Sequence, residues 1–152
     1  MTKSHAITDP FKYLENDHKA VAKLLDELEK TTERAVKTRD ELFAELNDSL
    51  TLHANIEEHV LYPALEHLKT THDITLEAFE EHHVVKILLE ELSSIPQDTE
   101  QWTAKLKVLK ENIEHHVEEE EDDMFTKARK ALDRDKLDAL ALEMEKYITE
   151  LI

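Results

Sequence analysis

The sequence predicts an all-α protein: an antiparallel, up-down-up-down four-helix bundle with an additional C-terminal helix. The chain has 152 residues, no glycine and only three prolines, so the tight turns that join β-hairpins have few suitable residues. Apolar residues make up 40% of the chain and recur at the spacing of amphipathic helices. Charged residues, at 36%, lie between them in a periodic pattern and indicate a folded chain. We expect one domain over residues 1–152.

Five helical segments follow one another along the chain. Asp9 followed by Pro10 is typical of a helix start, because Asp caps the first turn and Pro fits its first position. Pro96 should end the third helix, and Asp98 resembles the first residue of a capping box for the fourth. The predicted helices cover about residues 9–36, 40–69, 73–95, 98–130 and 133–151. The connections are short, which favours antiparallel packing of neighbours.

Composition excludes several kinds of partner. The net charge is −17 with histidine neutral, so phosphate backbones and anionic lipids would be repelled, and we expect neither nucleic acid nor membrane as a partner. No apolar run approaches the ~20 residues of a membrane span, and no signal peptide is visible, so a cytoplasmic location is expected. Cysteine is absent. Histidine and carboxylate are therefore the strong metal ligands that remain.

The two halves of the chain resemble each other. Residues 17–28 match residues 81–92 at an offset of 64, and a His-x-x-x-Glu motif recurs at an offset of 63. Each half therefore supplies one lone histidine on its first helix and a His-x-x-x-Glu motif on its second. The residues concerned are His18, His53 and Glu57 in the first half, and His82, His116 and Glu120 in the second.

These six residues are candidate metal ligands. Residues four apart share one helix face, and the histidines and glutamates interrupt apolar stripes. A lone histidine on such a stripe is more often a hydrogen-bonded core residue, but two copies of the whole pattern favour a metal site. Buried carboxylates are normally paired or metal-bound, and two of them among four imidazoles suit two divalent cations with the carboxylates as bridges. Bundles hold paired iron or manganese in this way, although imidazole also suits zinc, copper or nickel.

Further residues near these ligands are candidates for metal ligation or for contacts that support the ligands. They are Glu58, Glu81, His83 and Glu121. We interpret the acidic run 118–123 as a solvated face around one inward glutamate. In a straight helix, Glu120 lies about 40° from His116 and Glu121 about 140° away, at roughly 100° per residue. We expect a straight fourth helix, which selects Glu120, although a local distortion such as a π-bulge could select Glu121 instead.

The pattern resembles the hemerythrin-like family, also called the HHE cation-binding domain, over about the first 130 residues. The resemblance rests on a lone histidine and a His-x-x-x-Glu motif in each half, and on Leu61-Tyr62-Pro63. It implies a left-handed four-helix bundle with a di-iron centre. In such a centre two iron ions are bridged by two carboxylates and usually an oxo or hydroxo group. It also implies chemistry with dioxygen or peroxide.

Two departures from the family pattern bear on function. Oxygen-carrying hemerythrins have a further histidine where this chain has Ala78, and they place the second bridging carboxylate at the position of Glu121. The missing imidazole favours peroxide or redox chemistry over oxygen carriage. We expect a protein that handles dioxygen or peroxide, by redox chemistry, peroxide decomposition or oxygen sensing, with catalase-, peroxidase- or oxidase-like activity as one form. Reversible dioxygen binding or storage, and an iron-dependent regulatory or iron-handling role, are the alternatives. The C-terminal helix either caps the bundle or forms an interface with a second copy or a protein partner.

Overall fold

The structure is a computed structural model that describes residues 7–151, and within that range every regular element is helical. The helices are α1 (Pro10–Glu29), α2 (Val36–Ile56), α3 (Tyr62–Glu66), α4 (His72–Ser94), α5 (Glu100–Glu119), α6 (Phe125–Ala131) and α7 (Arg134–Leu151). A π-helical turn joins α2 to α3, and a second joins α5 to α6. The four arms of the bundle are therefore α1, α2–α3, α4 and α5–α6. With α7 as the additional C-terminal helix, the predicted fold class is confirmed.

The packing of the arms leaves one side of the bundle less tightly closed. Helix α1 packs on α2 and α5, and α4 packs on α5, whereas α2 and α4 hardly touch. Helix α7 lies against α1, α2 and the first π-helical turn. No helix within residues 7–151 combines the length and the apolar character needed to cross a bilayer.

The apolar core consists of two clusters. The cluster beside α7 includes Phe11, Leu14, Leu61, Tyr62, Phe125 and Met144. The cluster at the other end of the bundle includes Val21, Leu28, Phe43, Leu46, Trp102 and Leu109. Each arm carries its buried histidine between residues of these two clusters. The polar candidates therefore form a layer across the middle of an otherwise apolar interior.

The first helix ends earlier than the sequence predicts, at Glu29 instead of residue 36. The Thr31 hydroxyl donates to the carbonyl of Leu28 at 2.6 Å. The buried guanidinium of Arg39 then donates from Nε to Thr31 Oγ1 at 2.9 Å and from Nη1 to the carbonyl of Gln97 at 2.5 Å. These bonds fold the chain back after α1, so the second helix starts at residue 36. They depend on tertiary contacts that apolar spacing does not reveal.

The prediction of a straight fourth helix at the site is wrong. The backbone N–H of Phe125 bonds to the carbonyl of Glu120, five residues back, and the N–H of Tyr62 does the same with Glu57. Both arms therefore widen into a π-helical turn that begins at the inward glutamate. The start of this arm also differs from the prediction, because Thr99 caps it instead of Asp98, with its hydroxyl accepting from the N–H of Trp102.

Candidate metal centre

Two carboxylates occupy the centre of the polar layer. Glu57 and Glu120 are 0% and 1% exposed, respectively. Each follows its His-x-x-x-Glu histidine by one turn of regular helix and stands where the π-helical turn begins. Glu120 is therefore buried although the fourth arm is not straight, because the distortion begins at Glu120 and leaves the turn from His116 to Glu120 regular.

The six predicted ligands come together as two groups that share these two carboxylates. Within each group, the candidate donor atoms all lie within 4.8 Å of one another. One group is His18, His53, Glu57 and Glu120; the other is Glu57, His82, His116 and Glu120. Each group offers two imidazole nitrogens and two carboxylate oxygens.

In the first group, His18 Nε2 lies 3.0 Å from Glu120 Oε1, and His53 Nε2 lies 3.2 Å from Glu57 Oε2. The two Nε2 atoms are 3.2 Å apart. All four donor atoms therefore face a common point.

The second group repeats this arrangement, as the internal repeat of the sequence predicts. His82 Nε2 lies 3.0 Å from Glu57 Oε1, and His116 Nε2 lies 3.3 Å from Glu120 Oε2. The two Nε2 atoms are again 3.2 Å apart. Each carboxylate thus presents one oxygen to each group, which is the arrangement that bridging requires.

The outward nitrogen of each imidazole is held by a further carboxylate. The Nδ1 to oxygen distances are 2.6 Å for His18 with Glu121, 3.1 Å for His53 with Asp17, 2.8 Å for His82 with Glu58 and 2.5 Å for His116 with Glu81. In a neutral imidazole, such a partner keeps the proton on Nδ1 and leaves the Nε2 lone pair free. Metal-ligating histidines are commonly oriented in this way.

The lesser candidates from the sequence fall into two kinds. Glu58, Glu81 and Glu121 orient imidazoles, and their side chains are partly exposed and lie outside the two inner groups. His83 is exposed and belongs to neither group. Asp17 was missed, although it matches Glu81 at the repeat offset of 64 and could have been found from that correspondence.

Tyr62 is a further site residue that sequence reasoning did not assign. Its hydroxyl donates its single proton to Glu120 Oε2 in a short bond and lies 3.1 Å from Glu57 Oε1, the alternative acceptor. It also lies 3.1 Å from His82 Nε2 and 3.4 Å from His116 Nε2. The phenol thus reaches all four residues of the second group.

Within residues 7–151, no hydroxyl reaches the first group in the same way, because the repeat counterpart of Tyr62 is Phe125, at an offset of 63. The ring of Phe125 stacks on that of His18 with a centroid distance of 6.2 Å. This Tyr/Phe difference makes the two halves chemically distinct.

Without metal, the imidazoles of the centre act as counterions to the buried carboxylates. Burial alone would lower the pKa of His53, but Glu57 and the hydrogen bond to Asp17 raise it to about 10. Burial opposes protonation of His116 as well, yet Glu120 raises its pKa well above the ordinary value. The fold therefore favours cations at these two positions.

The pKa values of the other two imidazoles and of Glu57 also shift toward the charged forms. Against the effect of burial, Glu120 raises the pKa of His18 and Glu57 raises that of His82. Burial would raise the pKa of Glu57, but His53 and His82 hold it well below the ordinary value. Burial and the nearby carboxylates raise the pKa of the Tyr62 phenol well above 10, so it keeps its proton.

The donor atoms fit divalent metal ions. Glu57 Oε2 and Glu120 Oε1 are buried and accept no hydrogen bond, although such atoms normally have a partner. Each faces an Nε2 atom of the first group. Two Nε2 atoms 3.2 Å apart can share at most one proton along the line between them, whereas a cation can be ligated by both. Imidazole with carboxylate is a donor set suited to iron, manganese or zinc.

Residues 9–128 match the family model described as the hemerythrin HHE cation binding domain. The chain belongs to this family. Membership agrees with the resemblance predicted from the histidines and glutamates, and the buried group of these residues gives this HHE domain a site able to hold cations.

Two known proteins are similar to this HHE domain, one in structure and one in sequence. A crystal structure of an HHE cation binding domain-containing protein from Mycobacterium kansasii has a TM-score of 0.78 and 24% identity, covering 95% of this chain and 87% of that one. At that identity the likeness shows the fold. A DNA nickase from Nostoc sp. (strain PCC 7120 / SAG 25.82 / UTEX 2576) is 29% identical over 129 residues, or 85% of this chain. The match covers only 36% of the nickase.

Proposed function

We propose that this HHE domain holds two iron ions and that the loaded centre reacts with dioxygen or peroxide. The observation that carries the proposal is the pair of four-donor groups sharing Glu57 and Glu120. Two cations would balance the two buried carboxylates without requiring protonated histidines. We assign the ligands as His18, His53, His82 and His116, with Glu57 and Glu120 as bridges.

Iron is the metal that the donor set and the family together favour. Carboxylates from two helices combined with histidines in a bundle core are a known arrangement for paired iron or manganese. When bound, a ferrous pair would supply electrons to dioxygen or peroxide and hold the reacting molecule in place. The surrounding residues would orient the ligands and control protons.

Tyr62 is the residue best placed to control a proton at the centre. Its hydroxyl lies within hydrogen-bonding distance of both bridging carboxylates, and its pKa is raised by burial. Among the described residues, the hydroxyl that reaches the centre lies beside the second group, so a proton held at Tyr62 Oη would be available there. The first group has Phe125 instead.

The surroundings of Ala78 favour redox chemistry over oxygen carriage. Ala78 is buried one helical turn before His82 and offers no ligand where oxygen carriers have an imidazole. Tyr62, whose hydroxyl does reach His82, belongs to the same core cluster. A protic group therefore lies beside His82, in the core cluster that also contains Ala78. Such a group would suit the reduction or decomposition of peroxide.

The proposal is tested by anaerobic ferrous titration, followed by additions of dioxygen and of hydrogen peroxide. We expect saturation at two irons per chain and consumption of peroxide, with oxygen release if turnover is catalase-like. His53→Asn should lower iron binding and peroxide consumption. His67→Asn, at an exposed histidine beyond the same arm, should match the parent protein. Trace iron after reconstitution would refute the proposal.

The other functions considered for this chain have distinct outcomes in the same experiment. A visible band that forms with dioxygen and disappears on its removal would indicate reversible binding. Iron binding without reaction toward either oxidant would indicate an iron-handling or regulatory role. In both cases the ligand assignment would stand and the proposed redox function would not.

A further inference from the structure

A cavity of about 460 Å³ lies on one side of the candidate metal centre. All four imidazoles of the centre border it. It opens between α2 and α4, the two helices that hardly touch. On the opposite side of the centre, Tyr62, Phe125 and Leu14 pack tightly in the core. The centre therefore has one closed side and one side that faces a cavity.

This cavity is much larger than dioxygen or peroxide needs. A water molecule takes about 30 Å³ in the liquid, and either oxidant has only one more non-hydrogen atom than water. Pockets of roughly 300–1,000 Å³ are those in which proteins bind small organic molecules. A site for a diatomic molecule alone gives no reason for a cavity of this size.

Much of the cavity wall is apolar. The apolar side chains that line it include Val21, Leu50, Val85, Leu89, Ile113 and Val117. Polar residues lie where the cavity meets solvent, and α2 contributes three of them at a spacing of four: Asn47, Thr51 and Asn55. Helix α4 contributes Lys86, Glu90 and Ser93 on the facing wall. An apolar interior with a polar mouth suits a molecule that is largely apolar and has a small polar end.

The charges around the cavity favour an uncharged occupant. The mouth has one cationic residue, Lys86, and one anionic residue, Glu90, on the same helix, with the imidazole of His83 beside them. The carboxylate of Glu58 is engaged by His82 Nδ1 at 2.8 Å. The chain as a whole carries a net charge of −17, which repels anions. Among the residues that the structure describes, the mouth therefore presents no excess of either charge.

We propose that the cavity between α2 and α4 binds an uncharged, mainly apolar organic molecule beside the metal centre. The ligand would lie along the aliphatic wall, with its polar end among the amides and hydroxyls of the mouth. The proposal rests on the proposed function only in that the imidazoles bordering the cavity would carry iron. It adds an organic ligand to a centre otherwise assigned to dioxygen or peroxide.

Calorimetric titration of the iron-loaded protein with n-alkanols from butanol to decanol tests this proposal. Each methylene buried in the cavity should strengthen binding about fourfold. The gain should stop once the chain fills the available volume. Absence of binding up to the solubility limit, or affinity that does not depend on chain length, would overturn the proposal.

Two neighbouring valines provide a matched pair of variants. Val85 lines the cavity, whereas Val84 is 44% exposed on the outer face of α4. Val85→Trp should weaken octanol binding more than tenfold at unchanged iron content, and Val84→Trp should leave both unchanged. If Val85→Trp does not fold, as judged by circular dichroism, Leu50→Phe on the opposite wall replaces it. If whichever of Val85→Trp and Leu50→Phe is used folds and still binds octanol as the parent protein does, the cavity assignment is refuted.

Metal content separates this proposal from the proposed function. Chain-length-dependent octanol binding by protein that takes up no iron would refute the metal assignment and leave the cavity assignment intact. Uptake of two irons without alkanol binding would refute the cavity assignment and leave the metal assignment intact. Analytical ultracentrifugation tests whether a second copy of the chain covers the cavity instead. If the chain dimerises and Val85→Trp abolishes the dimer, the small-molecule assignment is wrong.

Discussion

Two consecutive glutamates approach the same imidazole from opposite sides. Glu121 Oε2 lies 2.6 Å from the Nδ1 atom of His18, and Glu120 Oε1 lies 3.0 Å from its Nε2 atom. The π-helical turn that starts at Glu120 allows both contacts. One glutamate therefore faces both candidate metal positions, while the other orients a ligand.

Substitution of these glutamates should have different effects on iron binding. Glu120→Ala should lose most of the iron, because it removes a bridge. Glu121→Ala should still reach two irons at saturation, with affinity weaker by about 10–100-fold, as for other residues that orient metal ligands. Competition with a chelator measures the affinities, and Glu118→Ala, at an exposed position, is the control. Loss of iron from Glu121→Ala but not from Glu120→Ala would invert the assignment.

Removal of the Tyr62 hydroxyl should affect the metal-free fold. Tyr62→Phe takes a buried hydrogen-bond donor from Glu57 and Glu120, so the free energy of unfolding in chelator should fall by about 1.5–3 kcal/mol. Iron stoichiometry should remain two per chain. Urea denaturation and elemental analysis check these outcomes, with Tyr147→Phe on α7 as the control. A drop to one iron per chain would instead make the phenol a required ligand.

The stability of the metal-free chain should fall as pH rises above neutrality. The pKa of His53 is raised from 6.5 to about 10 in the folded chain, so the stabilisation is complete below pH 6.5 and is lost as pH rises toward 10. The pKa of Glu57 is lowered, so its contribution is present above about pH 4.5 and is lost in stronger acid. The stability of the metal-free protein should therefore be highest between about pH 4.5 and pH 6.5.

The stability that bound iron adds should increase at alkaline pH, whereas the stability of the metal-free protein decreases. The reason is that ligands bind metal in their deprotonated forms. The Tm difference between loaded and metal-free protein should widen from pH 6.5 to 9. Differential scanning calorimetry in the presence or absence of chelator measures it. In the metal-free protein, His53→Asn should reduce the fall of Tm between pH 6.5 and 9, and His67→Asn should leave that fall unchanged. A metal-free Tm that rises over this range would contradict the pKa assignments.

DNA cleavage is not expected from this chain, although one relative is named as a nickase. With a net charge of −17, the chain should be repelled by phosphate backbones. Incubation of iron-loaded protein with supercoiled plasmid, without added reductant or peroxide, should leave the plasmid intact. Nicking by the parent protein that Glu57→Ala abolishes and Glu118→Ala retains would contradict this expectation and assign the centre to DNA chemistry.

The sequence predicts the inner groups well because their geometry is local. His53 with Glu57 and His116 with Glu120 each lie on one turn of regular helix, and the repeat places the two motifs opposite each other. The contact of Asp17 with His53 joins α1 to α2. It depends on how those helices rotate against each other, which periodicity does not determine.

Tyr62 and the end of α1 show where sequence reasoning stops. Tyr62 lies on an apolar stripe, and only the π-helical turn after Glu57 reveals that its hydroxyl reaches the polar layer. The end of α1 depends on Arg39, which reaches both Thr31 and Gln97 across the bundle. Neither the π-helical turns nor these long-range hydrogen bonds have a signature in the spacing of apolar residues.

The ligand assignment requires two metal ions that lie side by side and share Glu57 and Glu120. Anomalous scattering from iron-loaded crystals, measured on both sides of the iron absorption edge, locates such ions. We expect two peaks per chain, one among the Nε2 atoms of His18 and His53 and one among those of His82 and His116, each contacted by both glutamates. A single peak, or peaks on the acidic surface with none between these imidazoles, would contradict it.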